Sequence, residues 1–175
     1  MYESKDFKHL LGLPGMSDAL LTNHFTLYEG YVKNTNAVSE LLQSKEPGTP
    51  EYSELKRRFG WEWNGMRLHE LYFGNLSREK ADVDSSVSRI LEGSFGSFDA
   101  WKKDFLAVGA VRGIGWVILA KDAETGRFFN TWIDEHNTGN FAGSVPILVM
   151  DVFEHAFMLD YGLKRAEYIE AFYQA

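Results

Sequence analysis

The chain predicts an α+β fold: an N-terminal antiparallel helical hairpin followed by a C-terminal α/β domain with a three-stranded antiparallel sheet. Three features lead there. Apolar residues recur at helical spacing in two long blocks before residue 77, and the period shifts to that of strands between residues 115 and 150. Helices also precede strands instead of alternating with them, which marks α+β.

The first block starts at Ser17, whose hydroxyl can cap a helix, and carries Leu20, His24, Leu27, Tyr31, Val38 and Leu42 near one face. Pro47, Gly48 and Pro50 interrupt it. Thr49 followed by Pro50 opens a second helix, with proline at the first position, where its missing N–H costs little. Leu55, Phe59, Met66, His69, Phe73 and Leu76 form its apolar face. A short connection between two such helices implies an antiparallel hairpin. The polar run from Ser77 to Asp84 reads as a linker, dividing the chain into residues 1–80 and 81–175. Asp84 then caps a short helix through Leu91, and Ser97 caps another containing Trp101, Phe105 and Val108. Gly115 to Ala120 and Arg127 to Ile133 are strand-like, joined by the turn-rich segment Lys121 to Gly126. Ser144 to Met150 is a third strand, and helical signals return in Glu154 to Leu159 and Ala166 to Tyr173.

At 175 residues the chain suits one compact unit or two small subdomains sharing a core. Its net charge of −7 lacks the footprint of a nucleic-acid binder, while leaving room for an anionic substrate steered by local potential. The longest apolar stretch, Val145 to Met150, is too short to span a bilayer. Residues Met1 to Asp6 have no apolar core of a signal peptide, so the expectation is a cytoplasmic protein without membrane attachment. Cysteine is absent, which removes disulfides and thiolate chemistry. Any metal must be held by nitrogen and oxygen.

Among the five histidines, His24 and His69 lie on the apolar faces of the two long helices. An antiparallel pairing turns both imidazoles into the shared interface, as ligands or as hydrogen-bonded core histidines. Asp151 ends the apolar strand, where a carboxylate is costly unless paired or coordinated. His155 stands four residues on and can reach the same point. Three imidazoles and one carboxylate form a hard site suited to manganese or iron. Two other motifs fail. His69-Glu70 lacks the second histidine of a zinc-protease helix, position 73 being Phe73, and Gly109 to Gly115 precedes a strand instead of linking strand to helix.

The segment Asp151-Val-Phe-Glu-His-Ala-Phe157 closely resembles the signature D-x-[WF]-E-H-[STA]-[FY] of the iron/manganese superoxide dismutase family. Gly96-Ser-Phe-Asp, Gly113-Ile-Gly-Trp-Val-Ile-Leu and Tyr161 through Phe172 resemble further family segments in order. His69-Glu-Leu-Tyr-Phe is similar to the family's His-Thr-Phe-Tyr-Trp, and His24 through Asn36 to its ligand-bearing first helix. The likeness spans roughly residues 10 to 173 and is looser in the N-terminal half.

The resemblance implies one iron or manganese ion per chain, held by His24, His69, Asp151 and His155 between the two domains, and a dismutation of superoxide to dioxygen and hydrogen peroxide. It makes Tyr31 a channel-lining residue, His136 a hydrogen-bonding partner of solvent on the metal, and Arg165 a basic residue at the channel mouth. Glu154 corresponds to a glutamate that reaches a partner's ligand histidine across a homodimer, or within a dimer of dimers. Several positions depart from the family. Leu27-Tyr28 stands where a second histidine is usual, and Met158 and Phe153 replace a tyrosine and a tryptophan. His24 and Tyr31 are also one residue closer; seven residues fall about 20° short of two turns, so both still share a face, with a locally different helix. Two alternatives stand beside the dismutase reading. One is a dimeric, metal-binding relative with weak or no turnover. The other is a non-haem iron enzyme acting on another small oxidant, against which the third histidine argues.

Overall fold

The computed structural model describes residues 1–79 and 84–175. Ser17 Oγ accepts the Leu20 N–H at 3.1 Å and opens α1 (Asp18–Ser44). Thr49 Oγ1 accepts the Tyr52 N–H at 3.3 Å and opens α2 (Pro50–Gly74), with Pro50 in its first turn. Asp84 caps α3 (Ser85–Phe95), which ends on Gly96 in the left-handed region, the conformation glycine adopts most cheaply. Ser97 caps α4 (Phe98–Gly109). Each cap gives an orphan helix N–H its acceptor, and all four were legible as Ser, Thr or Asp ahead of an apolar run.

The sheet follows as β1 (Gly115–Asp122), β2 (Phe128–Asp134) and β3 (Ser144–Asp151), in the order β2-β1-β3 with both pairings antiparallel. Its register sets Trp116 between Ile133 on one side and Asp151 on the other. Only glycine fits at the start of β1: a β-carbon on Gly115 would run into the Ile133 carbonyl oxygen.

The predicted helix from Glu154 to Leu159 is not continuous. A 3₁₀ turn, Glu154–Ala156, is followed by a break at Phe157 (φ −144°) and then by α5 (Met158–Tyr161). The break lets His155 turn back toward Asp151 while the chain leaves the site. The last helix, α6 (Arg165–Gln174), runs one residue past the prediction at each end. Residues 80–83 of the Ser77 to Asp84 linker, and with them the boundary at residues 80 and 81, lie outside the described residues.

One apolar core runs through both halves. Leu20, Leu21 and Phe73 from the hairpin join Trp116, Met150 and Tyr168 from the sheet and α6. Each fully buried large apolar side chain contributes about 1.5–3 kcal/mol. Phe7, Leu10 and Leu13, from a segment without a clear pattern in the sequence, are buried against the hairpin as well. No helix among the described residues is long and apolar enough to cross a membrane.

Candidate metal centre

The hairpin and the end of β3 bring His24, His69, Asp151 and His155 to one point, with one donor atom from each lying within 4.8 Å of all the others. His24 comes from α1, His69 from α2, Asp151 from the last residue of β3 and His155 from the 3₁₀ turn. The first three are buried, and His155 is partly exposed. Asp151 Oδ2 sits 3.1 Å from His155 Nε2, 3.2 Å from His24 Nε2 and 3.6 Å from His69 Nε2. Its other oxygen accepts the Phe153 N–H at 2.8 Å, and its backbone carbonyl accepts the Tyr168 hydroxyl at 2.6 Å.

The protonation states follow from burial. Burial drives the pKa of His24 down against the pull of Asp151, and burial with the neighbouring His24 holds His69 well below its ordinary value. Burial opposes the charge on Asp151 too, yet the surrounding His155 and His24 outweigh it and keep the carboxyl far below the usual range. The result favours uncharged His24 and His69 beside an anionic carboxylate, the pattern that a cation's ligands need.

His69 tests the fit most directly. Its Nδ1–H donates to the Gly65 carbonyl at 2.6 Å, one turn back on α2. That bond fixes the tautomer and aims a bare Nε2 lone pair into the cluster, where it is buried with no hydrogen-bond partner. A buried nitrogen lone pair without a donor is costly, and a metal ion is the partner that removes the cost. Nitrogen and oxygen donors in a three-to-one set suit iron or manganese. The residues fit such an ion.

Tyr31 and His136 adjoin this cluster. The Trp116 indole N–H donates to His136 Nδ1 at 3.1 Å. Because an indole can only donate, Nδ1 is the acceptor and the ring hydrogen sits on Nε2. His136 Nε2–H therefore donates to Tyr31 Oη at 2.7 Å, leaving the phenol hydrogen available to a third group. Burial pushes the His136 pKa down to about 4, so the ring is neutral at ordinary pH. Tyr31 lies against His69 with ring centroids 5.1 Å apart, and burial, then the charge on Asp151, raises its pKa. Gly65 makes room for this ring: a β-carbon there would lie 2.6 Å from Tyr31 Cδ1.

The other expected residues lie further out. Arg165 donates to the Gly113 carbonyl at 2.8 Å and stacks over Trp132, with two of its guanidinium nitrogens buried and unpaired. Glu154 is exposed and shares a surface cleft with Leu20, Asn23, His155, Met158 and Leu159. His9 is exposed and takes no part. At the Leu27-Tyr28 departure, α1 continues as an uninterrupted α-helix from Asp18 to Ser44. Tyr28 is buried, donates to Glu70 Oε1 at 3.0 Å and accepts the Lys5 N–H at 3.0 Å. Glu70 also pairs with Arg67 at 2.6 Å and Lys5 at 3.0 Å. A second buried carboxylate of α2, Glu62, takes Arg58 at 2.6 Å and Asn34 of α1 at 3.4 Å.

Sequence reading missed Gly65, Trp116, Glu62 and Glu70. Gly65 stands four residues before His69 on the same helix face, and Trp116 and Glu70 lie within segments that resemble the family, though no role was legible for them there.

Comparison with known proteins gives the same answer as the geometry. The family model for iron/manganese superoxide dismutases, C-terminal domain, matches residues 83–175. The chain is 36% identical over 168 residues to the superoxide dismutase [Fe] of Cupriavidus metallidurans, covering 93% of this chain and 84% of that protein. It is 34% identical over 182 residues to the superoxide dismutase [Fe] of Aquifex pyrophilus, covering 98% and 85%. It is also 34% identical over 165 residues to the superoxide dismutase [Mn] 2 of Haloferax volcanii, covering 92% and 82%. With that identity and coverage, the chain belongs to the iron/manganese superoxide dismutase family.

Proposed function

We propose that this chain disproportionates superoxide to dioxygen and hydrogen peroxide, using one iron or manganese ion held by His24, His69, Asp151 and His155. The observation that carries this is the buried, unpartnered His69 Nε2 facing the Asp151 carboxylate and two further imidazoles. A bound iron or manganese ion supplies a one-electron couple at that point. The chain's own residues do the rest. Asp151 offsets the cation's charge, and the Gly65 carbonyl keeps His69 oriented. His136 holds a proton on Nε2 and directs the Tyr31 phenol, whose hydrogen is placed for delivery to the peroxide product. The test is elemental analysis of purified protein together with superoxide turnover per metal. Sub-stoichiometric iron and manganese in active protein would overturn the ligand assignment.

A second reading, a metal-binding relative with little turnover, draws on Met158, which is 44% exposed instead of closing the site, and on Tyr28, which is committed to Glu70. One metal per chain without dismutation would favour it.

The chain's partner in this proposal is a second copy of itself. Glu154, exposed beside His155, is flanked by the exposed apolar Met158 and Leu159, and Leu163 is 92% exposed nearby in sequence. A two-fold interface through this face makes each Glu154 available to the other chain's His155. Glu154→Ala should weaken both association and metal retention, read by sedimentation and elemental analysis. A wild-type protein that sediments as a monomer at micromolar concentration would contradict the dimer.

A further inference from the structure

The Tyr31–His136 pair is walled off from solvent by Trp61 of α2. The indole ring of Trp61 packs on His136 with centroids 4.5 Å apart and on Tyr31 at 5.6 Å. Its N–H donates to Glu135 Oε2 at 3.0 Å. Glu135 is the one non-glycine residue with positive φ among the described residues, at 48°. A side chain in that region costs roughly 1 kcal/mol or more and persists only where the surroundings demand it. Here the strained residue places its carboxylate on the indole and its neighbour, His136, beneath the same ring.

The charges on this face are informative. Arg57 pairs with Glu54 at 3.3 Å, and Arg58 pairs with Glu62 at 2.6 Å while covering the Trp61 ring at 4.5 Å. Both arginines are therefore neutralised, and Glu135 is left with the indole. The cleft on this face is lined by two arginines and two glutamates, Arg57, Arg58, Glu54 and Glu135, so it has no net positive charge with which to gather a small anion. The cleft over His155, between Leu20, Asn23 and Met158, lies on another part of the surface. Both sides of the site thus have a surface cleft, but they differ in what lines it: one includes the ligand His155, and the other includes Trp61, whose ring packs on His136 and Tyr31.

From this the geometry points to Trp61 as a positioning residue for the proposed dismutation, latched by Glu135 so that its ring fixes the Tyr31 phenol and the His136 imidazole and keeps bulk water off them. The inference rests on the dismutase reading. It assigns Trp61 and Glu135 no contact with metal or substrate. They act through Tyr31 and His136, so they should set the rate of the proton-dependent step and not the capture of superoxide.

The test uses metal-loaded protein and three variants, Glu135→Ala, Trp61→Phe and the double substitution, with Glu135→Gln as the conservative control because its amide oxygen still accepts from the indole. Metal per chain should match wild type in all of them. In Glu135→Ala and Trp61→Phe, kcat should fall about tenfold, as expected when positioned groups lose alignment, with kcat/KM within about twofold. Glu135→Gln should stay within about twofold of wild type. The double variant should be no slower than the worse single, because one latch can be opened only once. Acrylamide quenching of the Trp61 fluorescence, taken as the difference between each protein and its Trp61→Phe counterpart, should rise in Glu135→Ala. Additive losses, unchanged kcat in both single variants, or unchanged quenching would each overturn the latch while leaving the dismutase reading intact. A metal-loaded wild type with no superoxide turnover would instead overturn the dismutase reading, and the positioning role with it.

Discussion

The metal centre is assembled in two ways. Asp151 and His155 arise within five consecutive residues, where the Phe153 N–H donates to Asp151 Oδ1, and one further bond comes from α6, the Tyr168 hydroxyl to the Asp151 carbonyl. His24 and His69 stand on helices of 27 and 25 residues, and their meeting depends on how those helices pack. On the hairpin side the polar clamps are long-range. Glu62 ties Arg58 to Asn34, and Glu70 ties Arg67 to Tyr28 and Lys5. The strand-end half can be encoded in a short motif, whereas the hairpin half is encoded in contacts spread over some seventy residues (roughly residues 2 to 73). Damage to the first should strike the metal directly; damage to the second should reach it through packing.

The sharpest break is Asp151→Ala. It removes the anion around which the imidazoles gather, and it should abolish metal binding as measured by elemental analysis. A bound ion present at a thousandfold over its Kd stabilises a protein by about 4 kcal/mol, so the variant should lose roughly 10 °C in Tm relative to metal-loaded wild type. Full metal occupancy in Asp151→Ala would refute the assignment of this carboxylate as a ligand.

His136 comes next, because it adjoins the cluster without belonging to it. His136→Ala should retain metal but lose superoxide turnover by about a hundredfold, the usual weight of a positioned proton-handling group. His136→Gln can still accept from Trp116 and donate to Tyr31, and should keep more of the rate. If both variants match wild type in rate and optical spectrum, His136 is a core histidine and nothing more.

How much of this was legible in the sequence follows the same division. The four helix caps at Ser17, Thr49, Asp84 and Ser97 and the three strands were readable because each is set within a few residues. Asp151 and His155 were readable for the same reason. His24 and His69 could be placed on apolar faces, but the bare Nε2 of His69 depends on the Gly65 carbonyl, and the space for Tyr31 depends on Gly65 having no side chain. Those facts require knowing that α1 and α2 touch at that level. The break at Phe157 was missed because the apolar spacing of residues 154–159 suits a helix, while the turn there serves the direction of His155. In the sequence Tyr28 is only the residue standing where a second histidine is usual, because its partners, Glu70 and Lys5, stand 42 and 23 residues away.

Gly65→Ala probes the hairpin half through packing alone. The added methyl would meet the Tyr31 ring at 2.6–2.7 Å, a clash that either pushes the ring from His136 or spreads the helices. Overpacking of this kind costs about 1–3 kcal/mol, which denaturant unfolding of the metal-loaded protein would read. Turnover should fall with it while metal content holds. If the variant is as stable and active as wild type, the two helices are looser at this level than the close approach implies.

The smallest effect belongs to Tyr28→Phe, which asks whether the hairpin half needs its polar clamp or only its packing. The ring should stay in place, since it sits against Phe7 and Phe73 with centroids 5.6 and 6.1 Å away. Burial pushes the Tyr28 pKa up to about 12, so the hydroxyl is a donor to Glu70 throughout the working range. Its removal leaves the Lys5 N–H without its acceptor and Glu70 with two partners instead of three. Glu70 keeps Arg67 and Lys5, so no charge is stranded, and the loss should be about 1 kcal/mol, the net worth of an ordinary hydrogen bond. Metal content and turnover should stay near wild type, because His24 and His69 are placed by the helices and not by this hydroxyl. A Tyr28→Phe protein that folds normally yet loses its metal would show the opposite: that the clamp at Glu70, next in the chain to His69, holds the ligand itself.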